Sequence, residues 1–246
     1  VIPDDKEVCI LAENIDLSNI RKLVIHNADT LIGCNNLTLP QCVVLDSSND
    51  ITKKQLQRLA HLWKNSAYIR QLKLTDKVKD FKEIDGVIYD KNIRELIVCS
   101  LENKIVEIPE GVKSIGENAF CSCKLKSVKL PNSLLDLGFQ AFFNCKNLEF
   151  VDFGSGLSEI GPSAFAYCKR LKRVALPSQM RYIRRNAFSY SGLEFIKLND
   201  GLRLIADSAF YSTHMNSIDI PESVEMVEVF ALGSELEQPG IKSIKF

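Results

Sequence analysis

The chain has 246 residues, 46% of them hydrophobic and 25% charged, which is the composition of an ordinary folded protein of one or two domains. Thirty-one basic residues balance thirty-one acidic ones, so no global field draws the chain to nucleic acid or to an anionic membrane. No apolar run reaches the roughly 18 residues of a transmembrane helix, so no membrane insertion is expected of this sequence, and its start at Val1-Ile2-Pro3 fits a processed or trimmed chain whose export signal has been removed.

In chain order, the first regular phrase is Ile20-Arg21-Lys22-Leu23-Val24-Ile25, an LxxLxL pattern. Its last two apolar residues stand two apart and so share one face of a strand. Cys42-Val43-Val44-Leu45 reads as a further strand. Thr52 and Gln55 form a capping-box signature, and behind it Leu56, Leu59, Leu62 and Trp63 mark an amphipathic helix of about three turns. Ile69-Arg70-Gln71-Leu72-Lys73-Leu74 then returns to the LxxLxL phrase.

Beyond residue 100 an internal repeat takes over. An Ala-Phe pair recurs as Ala119-Phe120, Ala141-Phe142, Ala164-Phe165, Ala187-Phe188 and Ala209-Phe210, with a degenerate copy at Ala231-Leu232. The spacings are 22 or 23 residues throughout. Five residues before each Phe stands Ile115, Leu137, Ile160, Ile183, Ile205 or Val227, and three before that Val112, Leu134, Leu157, Met180, Leu202 or Val224. After it comes LxxLxL again, from Leu125-Val128-Leu130 to Ile241-Ile244-Phe246. One such strand cannot bury its apolar face alone; stacked identical coils make a parallel sheet and a continuous core, with the Phe rings in a ladder. Three residues after the Phe stands Cys123, Cys145, Cys168, Ser191 or Thr213, read as a buried column of small residues; metal or redox chemistry is the alternative for the thiols. The eight cysteines lack zinc-ribbon spacing, which leaves bridged or free states open. Pro109, Pro131, Pro177 and Pro221 end the strand's pairing and turn the chain.

The unit that runs from Ile108-Pro109-Glu110-Gly111-Val112 to Ser114-Ile115-Gly116-Glu117-Asn118-Ala119-Phe120 resembles the BspA-like leucine-rich repeats. Asp85-Gly86-Val87-Ile88-Tyr89 with Leu96-Ile97-Val98 resembles the hairpin that precedes such arrays, so the likeness covers about residues 81–246. It implies a mainly β α/β repeat solenoid: a right-handed leucine-rich-repeat superhelix with a parallel sheet on its concave face. It also implies a secreted or cell-surface protein, of bacterial or protist type, and carries over no catalytic residue. Residues 1–80 are expected to be divergent repeats with one helical coil, capping the 81–246 array and continuous with it; a separate small domain is the alternative. Gly233 to Gly240 lengthens the last coil and is expected to fold over the open edge.

In each strand the residues that flank the middle position point outward. One outward ladder is Ser127, Phe150, Arg173, Phe195, Ser217 and Ser243; the next is Lys129, Asp152, Ala175, Lys197, Asp219 and Lys245. Strands lie about 4.8 Å apart, which would sandwich Arg173 between Phe150 and Phe195. Phe150, Arg173, Phe195, Asp152, Lys197 and Lys129 are therefore the candidate concave-face site: a binding hot spot, or a self-satisfied cation–π brace of the sheet. A second candidate is the acid-free stretch Lys169, Arg170, Lys172, Arg173, Arg181, Arg184 and Arg185. It is either a polyanion patch or a solvated face neutralised by neighbours such as Glu149 and Glu194.

Other chemistry finds no motif. His26, His61 and His214 lack metal-ligand spacing, and no GxSxG, P-loop or GxGxxG is present. No metal, cofactor, catalytic residue or nucleic-acid partner is expected, and Asn36-Leu37-Thr38 is only a short glycosylation sequon. The expected function is a non-catalytic, adhesin-like binding module for a protein or glycan, the alternative being a structural spacer or scaffold in a larger surface assembly.

Overall fold

The computed structural model describes residues 22–26, 42–46, 51–64, 71–99, 105–235 and 240–245, without the side chains of residues 59–64 and 71. Ile20, Ile69, the Asn36 sequon, Cys9, Cys34, Phe246 and the side chains of Leu59, His61, Leu62 and Trp63 lie outside this description.

Three strands open the described chain: β1 (Lys22–Ile25), β2 (Cys42–Leu45) and β3 (Gln71–Leu74). They form one parallel sheet in the order β1-β2-β3 and bury Val43, Leu45 and Leu72. A helix, Lys53–Lys64, intervenes and buries Leu56. The capping box closes as expected: Thr52 Oγ1 accepts the Gln55 N–H at 3.2 Å, and Gln55 Oε1 accepts the Thr52 N–H at 2.8 Å. Lys53 pairs with Glu95, and Gln57 Nε2 donates to the Glu117 carbonyl at 3.3 Å, so the helix touches the elements that follow.

Next comes an antiparallel meander of β4 (Phe81–Ile84), β5 (Val87–Asp90) and β6 (Glu95–Cys99). Asp85-Gly86 makes its first turn with both residues at positive φ, which a two-residue hairpin with this twist requires. Strand β6 also pairs in parallel with β8 (Ser114–Ile115), and here the hairpin hands over to the solenoid.

From this point the coils build three ladders. The LxxLxL phrases form three-residue strands: β7 (Ile105–Glu107), β9 (Ser127–Lys129), β11 (Phe150–Asp152), β13 (Arg173–Ala175), β15 (Phe195–Lys197), β17 (Ser217–Asp219) and β19 (Ser243–Lys245). The position five before each Phe falls in two-residue strands: β8, then β10 (Asp136–Leu137), β12 (Glu159–Ile160), β14 (Tyr182–Ile183), β16 (Leu204–Ile205) and β18 (Met226–Val227). The third ladder is the Ala-Phe turn itself. The Phe120, Phe142, Phe165, Phe188 and Phe210 N–H groups each donate to the Ala carbonyl of the next coil at 2.7–2.8 Å. Backbone groups that one turn leaves open are thus met by its copy 22 or 23 residues on, as buried polar groups require.

These turns need left-handed backbone two residues before and two after the Phe. Asn118, Ser122, Asn144, Ser163, Asn186, Ser208 and Ser212 supply it at low cost, because short polar side chains tolerate this region. Coils also approach too closely for a side chain at Gly161, where a Cβ would stand 2.0 Å from the Leu137 carbonyl oxygen.

The core is the stack the repeat implies. Phe120, Phe142, Phe165, Phe188 and Phe210 are buried and stack face to face, with centroids 4.7–5.6 Å apart and planes within 11°. Beside them Cys123, Cys145 and Cys168 Sγ donate to the carbonyls of Cys99, Phe120 and Phe142 at 3.0–3.4 Å. The column packs inside the coil stack, with Cys99, Cys121, Cys123, Cys145 and Cys168 all buried. Burial pushes the Cys168 thiol up to about 12. At the far end the cover expected of Gly233 to Gly240 rests on residues 236–239, which lie outside the described residues. Met226, Val227, Val229, Phe230 and Ile244 stay exposed, Phe230 at 66%. Glu235 turns back along the flank, where its N–H meets Ser212 Oγ at 3.0 Å and its carboxylate accepts from Tyr190 Oη–H at 2.9 Å.

Candidate functional site

Strand period decides which side chains reach solvent. In β7, β11, β13, β15 and β17 the middle residue is buried and both neighbours are exposed, so the two outward ladders stand where the alternation puts them. On this face a groove of about 900 Å³ crosses β11, β13 and β15. Phe150, Asp152, Arg173, Ala175, Phe195 and Lys197 line it, together with Glu149, Arg170 and Lys172. Five of the six candidate residues thus converge. The sixth, Lys129, lies one coil away and is held at 2.5 Å by Glu107, which also raises its pKa.

The groove sits at an interruption of the sheet. Register pairs join β7-β9-β11, β13-β15 and β17-β19, but no backbone hydrogen bond joins β11 to β13 among the described residues. Phe150 and Phe195 are 60% and 50% exposed, a large apolar area to leave in water. Ala175, between Asp152 and Lys197 on the second ladder, leaves a low point. The expected sandwich is corrected: Arg173 lies over Phe195 alone, 5.9 Å from the ring centroid, with no second ring closing on it among the described residues.

The basic stretch divides: Arg170, Lys172 and Arg173 line the groove, and Arg181 and Arg184 have partners outside its lining. Arg170 pairs with Glu149 at 3.2 Å and Lys172 with Glu194 at 2.6 Å, both in the open. Lys172, and next Arg173, hold the Glu194 carboxyl below its usual range. Arg184 reaches Glu159 with Nε at 3.0 Å and Nη2 at 2.5 Å, over the Tyr182 ring. Arg181 donates to the carbonyls of Ser178 and Met180. Lys169 stands 5.8 Å from both the Tyr167 and Tyr190 rings. Three of the seven charges are neutralised by carboxylates, and the stretch divides between the three-residue strands, the two-residue strands and the turns.

Two features escaped the sequence reading. Ile105 heads the first outward ladder and is 73% exposed; Pro109, already in register, would have located it by counting back. The other is an aromatic stripe on the turn side, Phe143, Tyr167, Tyr190, Tyr211 and Phe230, with centroids 4.9–6.4 Å apart. Tyr167, Tyr190 and Phe230 hold left-handed positions where other coils place Ser or Asn, a conformation costly for bulky residues. The stripe falls one or two residues after the repeat Phe in four coils and two before Leu232 in the last, so no fixed register marks it in the sequence.

A second hollow, about 1090 Å³, lies among β3, the β4-β5 turn and the first coil. It mixes Glu83, Asp85, Glu107 and Glu110 with Lys73, Arg94 and Lys113, and its one aromatic, Tyr89, is buried. Among the described residues no group of three or more His, Cys, Asp or Glu is placed to hold a metal, and no helix is long and apolar enough to cross a membrane.

Among solved structures, a leucine-rich repeat protein from Eubacterium ventriosum is 14% identical over 92% of this chain and 66% of its own, with a TM-score of 0.56. The pneumococcal vaccine antigen PcpA is 19% identical over 86% of this chain and 51% of its own, TM-score 0.59. A leucine-rich repeat protein from Bacteroides ovatus is 21% identical over 72% of this chain and 51% of its own, TM-score 0.50. At such identities the likeness is one of fold, and the chain spans less than two thirds of each of these proteins. No curated protein matches the sequence. The model of the BspA type leucine-rich repeat region matches residues 91–214 and 176–242, in six copies. With more than half of its length matched and its coils stacked as that repeat dictates, the chain belongs to the BspA-type leucine-rich-repeat family.

Proposed function

We propose that this chain is a non-catalytic binding module of a cell-surface or secreted protein, recognising a protein or glycan, adhesin-like, through the concave sheet. The observation that carries the reading is the groove across β11, β13 and β15, where two exposed phenylalanines flank a ring-stacked arginine. Aromatic and arginine side chains dominate binding hot spots, and extended solenoid faces suit macromolecular partners. The reading extends to residues 1–80 as divergent coils that cap the array, supported by the parallel β1-β2-β3 ladder and by Lys53–Glu95.

The test is a screen of the purified chain against host matrix proteins and a glycan array. Beside it run the double variant Phe150→Ala, Phe195→Ala and a charge reversal at Arg181, Arg184 and Arg185. Loss of binding in the first, with unchanged melting, is the expected result. Loss only in the second moves the site to the basic residues and a polyanion. The second reading, a spacer in a larger surface assembly, is favoured by the uncovered apolar edge at Val229 and Phe230. No binding to anything on the panel supports that spacer.

A further inference from the structure

We propose that the concave groove holds an acidic segment of a protein partner, with a carboxylate seated over Ala175 between Arg173 and Lys197 and apolar neighbours against Phe150 and Phe195. This rests on the concave-face reading and names the chemistry of its ligand.

Charge is the first support. Four cations line the groove: Arg170, Lys172, Arg173 and Lys197. Arg170 and Lys172 are bound to Glu149 and Glu194. Arg173 has only a ring against it and a share in the field of Glu194, and Lys197 makes no ion pair among the described residues. Asp152, the remaining acid, lies two strands from Lys197, with Ala175 and the unpaired β11-β13 step between. The surplus positive charge is therefore local, and it falls on two residues of adjacent strands whose register sets Ala175 against Lys197 and Arg173 against Phe195.

Geometry is the second. The Arg173 guanidinium stands over the Phe195 ring, 5.9 Å from its centroid, and its fork matches a carboxylate. Ala175 leaves the space the carboxylate needs. Walls of Phe150 and Phe195 exclude water from the pair and so strengthen it.

The lining decides between protein and acidic glycan. It contains no Ser, Thr, Asn, Gln, Tyr or Trp, and its acids other than Asp152 are occupied. A sugar would bring several hydroxyls with few partners, at a cost for each one left unpaired. A peptide brings one carboxylate among apolar side chains.

The experiment titrates the full chain, followed by NMR, with an acetylated and amidated Leu-Phe-Asp-Leu peptide, its Asn counterpart, and a hyaluronan tetrasaccharide. The expected result is binding of the Asp peptide with shifts at Phe150 and Phe195. Affinity should fall by about tenfold for the Asn peptide and for the Arg173→Gln, Lys197→Gln variant, whose melting is unchanged. Equal binding of the Asp and Asn peptides, or an indifferent charge variant, overturns the carboxylate while leaving the aromatic groove standing. Hyaluronan binding without peptide binding reassigns the ligand to an acidic glycan, and silence from every probe rejects the proposal. Retained binding in Phe150→Ala, Phe195→Ala sinks the groove itself.

Discussion

The N-terminal sheet and the repeat array use the same strand phrase but are held by different amounts of repetition. In β1-β2-β3 only the strand side of the coil is laddered among the described residues, and the intervening turn contains a helix that needs its own cap. In the array three-residue strands, two-residue strands and Ala-Phe turns all meet copies in neighbouring coils; among the described residues the strand ladders break at β10-β12, β11-β13 and β15-β17, and the turn ladder runs on unbroken from Phe120 to Ala231. A strand phrase is thus enough to make parallel neighbours. A fixed coil length of 22–23 residues needs the turn to be laddered as well.

The strongest way to break that contrast is Phe165→Ala. The ring is buried between Phe142 and Phe188, so its loss should cost about 3–5 kcal/mol, read by chemical denaturation. An unchanged melting temperature would show that the rings do not bear the stack. Gly161→Ala tests the coil-to-coil approach. A Cβ 2.0 Å from a backbone oxygen forces a shift of two coils, and a loss of about 1–3 kcal/mol is expected.

Smaller effects sharpen the comparison. Thr52→Ala removes the helix cap and should cost about 1 kcal/mol; hydrogen exchange should show the loss around 53–64 and leave the Phe165 amide protected. Arg184→Ala breaks a partly exposed pair with Glu159 and should cost under about 1 kcal/mol, less in high salt. Thiol labelling should alter no stability at all. In the native protein Cys42, partly exposed, should react before Cys99, Cys121, Cys123, Cys145 and Cys168. The raised Cys168 pKa gives the sign with pH: the thiol's contribution is whole below its ordinary value of 9.0 and is lost as pH rises towards about 12. Cys168→Ser, which copies the Ser191 of the next coil, should flatten that alkaline loss.

Most of the fold was legible because the repeat writes the same instruction several times. Phe120 to Phe210 at one spacing define the coil, and the two-apart apolar pair defines which strand face is buried. From those two periods Phe150, Arg173 and Phe195 could be set on one outward ladder of adjacent strands. The same periods say nothing of what a side chain does once it reaches the surface.

Sequence alone determined the coil length, the buried positions and the ladders, since each depends only on backbone register and the cost of wetting apolar groups. Tertiary structure decided the rest. It opened the sheet between β11 and β13, laid Arg173 on Phe195 rather than between two rings, and joined Arg184 to Glu159 across 25 residues. Those outcomes turn on rotamers and on the offset between neighbouring coils, which vary from coil to coil even where the repeat does not.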